Sequence, residues 1–211
     1  MRLLLIRHAE IPTNVERRLE TSVPGPSLTA LGRQQAVALA DRLVPEAITS
    51  VVRSPLTRTA QTIEPLLGRT GLAARVLDGL AEIEAGDLES RNDDEARDAY
   101  HGVMFEWVDG LLEPRIPGGP DGTEFLRRFD DAISDATSAD DGTIAVVSHG
   151  AALRTWAAAR CTNLDRRFVA QHPIPNTGVV EVRHDPAGAA WHCVTWLGRS
   201  PQEVSADITT A

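Results

Sequence analysis

Two apolar runs end on a histidine: Leu3-Leu4-Leu5-Ile6 leads into Arg7-His8, and Ile144-Ala145-Val146-Val147 leads into Ser148-His149-Gly150. Between them, Arg58 stands in Arg53-Ser54-Pro55-Leu56-Thr57-Arg58, just beyond a third apolar stretch around Val51 and Val52. Two imidazoles and two guanidiniums at such ends suit a phosphoryl group. An arginine fork matches phosphoryl oxygens and keeps its charge, and a neutral imidazole is a nucleophile. One histidine after a buried strand is most often only a satisfied polar group; the joint occurrence with Arg7 and Arg58 gives the set its meaning. Zinc is the rival use of histidine. HExxH, CxxC and His-x-His spacings are absent, and arginines beside the histidines repel a cation. No metal and no cofactor are expected.

Something must hold these residues together, and the flanking pattern says what. Residues 3–6 form a continuous apolar run, as in a strand buried on both faces, and residues 47–53, 72–77 and 143–147 read as further strands. Helical spacing of apolar residues follows the hydroxyl caps at Ser27 and Thr29, and again from Pro55 to Leu67, with Gly68 and Gly71 as the stop. Residues 123–136 and 151–159 read as helices, and 11–26 as a loop. Residues 178–182 and 191–196 read as a hairpin around Asp185-Pro186-Ala187-Gly188. The acidic stretch of about 87–116 reads as a short helical insertion that packs over something, with Asp93 to Glu95 at its helix start. Strands alternating with helices imply one α/β domain of three layers, a mainly parallel central sheet flanked by helices, over residues 1–199. Residues 200–211 read as a loose tail. His8, Ser54 and His149 all fall at strand carboxyl ends, where sheets of this kind bind ligands.

Composition narrows the partners. The 211 residues carry a net charge of −9, which repels nucleic acid and anionic lipid, so neither is expected as a partner. A cluster of arginines still binds a small anion at contact distance. Cys161 and Cys193 read as free buried thiols of a reducing compartment. The apolar start is interrupted at Arg7 and so does not read as a secretion signal, and no run is long enough to span a membrane. A cytoplasmic location is expected. The oligomeric state is open, a homodimer being one option.

Four segments, in order, resemble the histidine phosphatase superfamily, also called phosphoglycerate mutase-like: Arg7-His8; Ser54-Pro55-Leu56-Thr57-Arg58-Thr59-Ala60-Gln61-Thr62; Leu80-Ala81-Glu82-Ile83-Glu84-Ala85-Gly86; and Ser148-His149-Gly150. The resemblance runs on to Asn176-Thr177-Gly178 and implies a phosphoglycerate mutase-like fold. It implies His8 as the nucleophile that forms a phosphohistidine, Arg7 and Arg58 as the grip on phosphoryl oxygens, and His149 as a further hydrogen-bond donor. Asn14 stands where the family often places a phosphate-binding asparagine, and backbone N–H groups after Gly150 would add to the binding. Glu82 would be the proton donor. Spacing alone does not choose among Glu82, Glu84 and Glu89; the resemblance does.

The implied activity is metal-independent hydrolysis of a small phosphorylated metabolite, because the insertion from Asp87 to Glu113 is short and acidic, with Arg91 and Arg97 as its only arginines or lysines. The alternatives are phosphoglycerate mutase-type transfer and a weakly active phospho-ligand-binding protein. Thr21, Ser27 and Ser90 depart from the family's usual glycine and proline positions, and Ala9 from its usual glycine, which points to a specialised leaving-group side. His101, His172, His184 and His192 lack a matching context and read as structural or exposed, Trp107, Trp156, Trp191 and Trp196 as core, and Arg154 as a support behind the site.

Overall fold

The computed structural model describes residues 1–138, 141–185 and 190–209. In chain order the elements are β1 (Arg2–Arg7), α1 (Pro12–Val15), α2 (Ala30–Leu43), β2 (Ile48–Arg53), α3 (Thr57–Thr70), β3 (Ala74–Val76), α4 (Asp94–Val108) and α5 (Gly122–Ser138). There follow β4 (Thr143–Ser148), α6 (Gly150–Arg160), α7 (Arg166–Gln171), β5 (Val179–Asp185), β6 (Ala190–Trp196) and α8 (Pro201–Thr209).

The six strands lie in the order β3-β2-β4-β1-β5-β6. The first four are mutually parallel; β5 adds antiparallel to β1, and β6 antiparallel to β5. Both inner strands alternate between two cores. Leu3 and Leu5 of β1, with Ile144 and Val146 of β4, face the larger core under α4, α5 and α6. Leu4 and Ile6, with Ala145 and Val147, face the smaller one under α2 and α3. That double burial is why these strands are apolar throughout Leu3 to Ile6 and Ile144 to Val147. From β1 the chain crosses to α2 on one face, and from β4 to α6 on the other, so adjacent strands diverge at their carboxyl ends and leave a crevice between them.

Local chemistry accounts for most boundaries. The Thr29 hydroxyl accepts the Gly32 N–H at 2.9 Å and starts α2. The Asp93 carboxylate accepts the Ala96 N–H at 3.0 Å and starts α4, which buries Tyr100, Met104 and Trp107 in the larger core. Helix α3 begins at Thr57 and not at Pro55, because Leu56 keeps an extended backbone (ψ 142°) as its cap, and the helix runs through Gly68 to stop at left-handed Gly71. The 11–26 loop contains the single turn α1.

Of the expected loose tail, residues 201–209 are helical, while Thr210 and Ala211 lie outside the described residues. The Ser200 N–H and hydroxyl both donate to the Glu203 carboxylate at 2.8 Å, Pro201 is buried, and Val204 packs on the larger core, so the segment is fixed as α8. Strands β5 and β6 pair as expected, while Pro186 to Ala189 at the tip lie outside the described residues.

Candidate active site

The carboxyl ends of β1, β4 and β2 assemble the site. Each ladder continues one residue beyond its strand: the His8 N–H donates to the Ser148 carbonyl and the Ser54 N–H to the Val147 carbonyl, both at 3.0 Å. His8 and His149 thereby stand on neighbouring strands, ring centroids 5.2 Å apart and tilted by 58°. Both are buried, as is Ser54. The turn after His8 is pinned by the Ala9 N–H, which donates to the Thr62 hydroxyl at 2.9 Å.

His8 Nδ1 lies 2.8 Å from the Ala9 carbonyl oxygen. A carbonyl only accepts, so Nδ1 carries the proton and Nε2 keeps its lone pair. Burial, and then the charges of Arg58 and Arg7, hold this imidazole well below the ordinary histidine pKa. It is a neutral nitrogen with its free electrons on the far side of the ring from Ala9.

His149 differs. Arg58 Nε donates to its Nδ1 at 3.1 Å, and its Nε2 lies 2.8 Å from the Ser54 hydroxyl. A guanidinium only donates, so Nδ1 is unprotonated, and the neutral ring carries its proton on Nε2 toward Ser54. Burial and Arg58 also keep His149 well below the ordinary value. Both ring nitrogens of His149, expected to be a further donor to a phosphoryl group, are thus engaged by Arg58 and Ser54 in this arrangement, where the ring holds Arg58 Nε. No sequence spacing could show this, because the ring's partners come from two other elements.

The two arginines are held by backbone and left partly open. Arg7 Nη1 donates to the Ile174 carbonyl at 2.6 Å, and Arg58 Nη2 to the Glu20 carbonyl at 3.1 Å. Arg7 Nε and Arg58 Nη1 are buried and have no hydrogen-bond partner among the described residues. Burial works against both charges, and Glu82 opposes that loss. Orphaned guanidinium donors are costly unless a ligand accepts them. Two glycines make room. A Cβ on Gly150 would stand 3.1 Å from Arg7 Nε, and one on Gly25 (φ +67°) would stand 2.8 Å from Arg58 Nη1.

Glu82 sits at the amino end of α6. Its Oε1 accepts the Ala152 N–H at 2.8 Å and the Ile83 N–H at 3.0 Å, and its Oε2 accepts the Ala151 N–H at 3.2 Å. A helix amino terminus attracts a carboxylate by its N–H groups and its dipole. The Ala151 and Ala152 N–H groups, expected to be free for a phosphoryl group, are therefore taken up by Glu82, and Gly150 leaves space for Arg7. Asn14 Oδ1 accepts from Ile11 N at 3.2 Å and from Asn176 Nδ2 at 3.0 Å, so only its own amide N–H groups remain for a ligand.

Arg7, His8, Asn14, Arg58, Glu82 and Gly150 line one cavity of about 280 Å3, while His149 stands behind Arg58 and outside the lining. The same lining contains one residue the sequence left aside, His101, and one it read as a support behind the site, Arg154. His101 of α4 lines the cavity with Arg154 of α6, although it was expected to be structural or exposed. Burial and Arg154 push its pKa down to about 4. The signal that could have found it was the acidic segment itself, whose apolar residues needed something to cover. Along the mouth, Leu19 and Ser90 to Arg91 exchange two backbone hydrogen bonds of 2.9 Å, and the Thr21 N–H donates to Glu89 at 2.8 Å. Two of the family departures, Thr21 and Ser90 (φ +64°), thus lie on the two sides of this clasp.

The family model for the histidine phosphatase superfamily (branch 1) matches residues 3–197. The chain belongs to that superfamily. A PE-PGRS family protein of Mycobacterium tuberculosis, PE_PGRS11, is 36% identical over 92% of this chain, and the chain spans only 36% of that protein's length. The "Probable phosphoglycerate mutase GpmB" of Enterobacter sp. (strain 638) is 34% identical over 72% of this chain and 71% of its own. Among solved structures, a mycobacterial glucosyl-3-phosphoglycerate phosphatase in complex with VO3 is 25% identical, covers 92% of this chain and 98% of its own, and superposes with a TM-score of 0.76. The alpha-ribazole phosphatase of Shigella flexneri covers 95% and 98% at 24% identity with a TM-score of 0.73, a likeness of fold. This histidine phosphatase superfamily member has the mainly parallel central sheet that the alternation of strands and helices implied, and no helix among its described residues is long and apolar enough to cross a membrane.

Proposed function

We propose that this chain is a phosphomonoesterase that works without a metal, through a phosphohistidine at His8, on a small phosphorylated metabolite of the cytoplasm. The observation that carries this reading is a neutral imidazole with Nε2 free, beside two buried guanidinium donors without partners, on one cavity. Nε2 attacks phosphorus in line with the ester oxygen; the P–O bond breaks, and the leaving oxygen takes a proton from Glu82. The positive charge this places on the phosphoimidazole is stabilised by the Nδ1–H bond to the Ala9 carbonyl. Water, giving a proton back to Glu82, then attacks the phosphohistidine and releases phosphate. Arg7 and Arg58 hold the equatorial oxygens throughout, where charge is greatest in the transition state.

The name of the GpmB relative brings the mutase reading with it. Hydrolysis is favoured because Arg91 and Arg97, the arginines between Asp87 and Glu113, are both committed to ion pairs on the protein surface. Arg91 pairs with Asp93 at 2.7 Å, and Arg97 pairs with Asp94. Neither lines the cavity, so no second phosphate is held there by them. The deciding experiment measures phosphate release from a panel of monoesters in the presence of EDTA. Release is expected; silence on every ester, or an EDTA-dead enzyme restored by zinc, would overturn the reading. Interconversion of 2- and 3-phosphoglycerate without phosphate release would establish the mutase instead.

Ser54→Ala tests how His149 works. The change leaves the His149 Nε2–H without an acceptor in a buried place, so the ring is expected to turn or change tautomer and release Arg58. A drop in kcat/KM of about tenfold, with a matching weakening of inhibition by inorganic phosphate, is expected. Ser54→Thr, which keeps the hydroxyl, should restore most of both. Equal activity in Ala and Thr variants would remove Ser54 from the argument.

A further inference from the structure

We propose that Arg128 of α5 is a positioning residue for the proton transfer. It fixes the segment that carries Glu82, so protonation of the leaving oxygen depends on it and the grip on the phosphoryl group does not. The inference rests on the reading of Glu82 given above. Residues 79–83 lie between β3 and α4, outside the sheet. Every carbonyl from Gly79 to Ile83 nevertheless accepts a hydrogen bond from a side chain. Arg128 Nη1 donates to the Gly79 carbonyl at 2.7 Å and to that of Ala81 at 2.9 Å, and Arg128 Nη2 donates to that of Glu82 at 2.7 Å. The Ser148 hydroxyl donates to the Leu80 carbonyl at 2.7 Å, and the Tyr100 hydroxyl to that of Ile83 at 2.6 Å. Three of these five carbonyls thus depend on one guanidinium, and one of the three belongs to Glu82 itself.

A guanidinium suits this task, because its planar fork presents several donors in a fixed geometry and keeps its charge. The fork is itself held in place. Its carbon lies 5.3 Å from the centroid of the buried Phe125 ring. The segment also packs directly on α5: a Cβ on Gly79 would stand 2.3 Å from the Arg128 carbonyl oxygen and 2.8 Å from Ala132 Cβ. The plainer use of Arg128 is its ion pair with Glu84 at 3.4 Å, but the Glu84 side chain is 55% exposed, and a pair of that kind contributes little. The Ile83, Ala151 and Ala152 N–H groups orient the Glu82 carboxylate, while Arg128 sets where its backbone stands. Arg7 and Arg58 are anchored by Ile174, Glu20 and His149, and none of these anchors involves Arg128. The two functions therefore separate.

Arg128→Met keeps an apolar stem against Phe125 and removes the donors. For an alkyl phosphate, kcat is expected to fall about tenfold to a hundredfold, the loss that a misplacement of about 1 Å brings. The rate at which p-nitrophenyl phosphate phosphorylates His8, and inhibition by inorganic phosphate, should stay nearly unchanged. Arg128→Lys, with one ammonium in place of the fork, should restore part of the alkyl activity. In a Glu82→Gln background, Arg128→Met should cost the alkyl ester nothing further, because both changes remove the same transfer. An equal loss on both esters, or a full additional loss in the Glu82→Gln background, would overturn the proposal and leave Arg128 as a support of the fold. Should the Met variant fail to fold, the same comparison of esters on the Lys variant decides. Failure of the Glu82 reading is visible separately, as a Glu82→Gln variant that treats both esters alike. The amide resonances of Ala151 and Ala152 then judge Arg128 alone. Displaced resonances in Arg128→Met would support the positioning role, and unmoved ones would overturn it.

Discussion

His8→Ala should abolish turnover, by roughly four orders of magnitude or more, while the folded protein still binds inorganic phosphate. The reason is division of labour within the site. Arg7 is anchored by the Ile174 carbonyl and Arg58 by His149 and the Glu20 carbonyl, so neither depends on His8 for its position. Removing the imidazole deletes the attacking nitrogen and leaves the anion grip. A phosphoprotein labile to acid and stable to base is expected from the wild-type enzyme quenched during turnover, and none from the variant. Substantial remaining activity would transfer the nucleophile's role elsewhere and defeat the mechanism. The pH profile gives a second reading of the same residue. His8 attacks as the neutral form, and its pKa lies well below the ordinary value near 6.5 because of burial, Arg58 and Arg7. Lowering the pH through 6.5 therefore should not protonate it, and the acid loss of kcat/KM due to His8 falls at lower pH than a solvated histidine would give. A limb at the ordinary histidine value would mean that the cations and burial do not act on this ring as described.

What could be read from the chain follows from the range of the forces involved. The strands were legible because Leu3 to Ile6 and Ile144 to Val147 are buried on both faces, and double burial leaves an unbroken apolar run. Once those strands are placed, their next residues, His8 and His149, have nowhere else to stand. The same reasoning stops at side-chain orientation. Nothing in Ser148-His149-Gly150 says that Arg58 and Ser54 occupy both nitrogens of the ring, and the acceptors of Arg7 and Arg58 are backbone carbonyls of Ile174 and Glu20, a group that every residue type carries. His101 was missed because α4 reaches the cavity only through long-range packing of Tyr100, Met104 and Trp107 on the larger core. In α8, a polar surface hid a short anchor, Pro201 and Val204.

Glu82 is the point where sequence left three choices and geometry separates them. Glu84 faces the surface, where it meets Arg128 at 3.4 Å, and Glu89 is occupied by Thr21. Of the three, Glu82 alone lines the cavity. Its carboxylate is fixed by three backbone N–H groups, so it would stand in one place for both of the proton transfers proposed for it, first to the leaving oxygen and then from water.

Glu82→Gln separates those two transfers. The amide oxygen still accepts from the α6 amino end, but no proton can be delivered or received. For alkyl phosphates, whose leaving oxygen needs that proton, kcat is expected to fall by about a hundredfold to ten-thousandfold. An aryl phosphate such as p-nitrophenyl phosphate has a leaving group that departs without one, so His8 is still phosphorylated. The second step then lacks its base, and the phosphohistidine accumulates. Rapid mixing should show a burst of nitrophenol close to one equivalent per site, followed by slow turnover, with label held on the protein. Glu84→Gln and Glu89→Gln should show neither the burst nor the trapped label. An equal loss on alkyl and aryl esters with no burst would mean that Glu82 holds the α6 terminus and moves no proton. His101, which also lines the cavity, has a pKa of about 4 that suits it poorly to keep a proton at neutral pH.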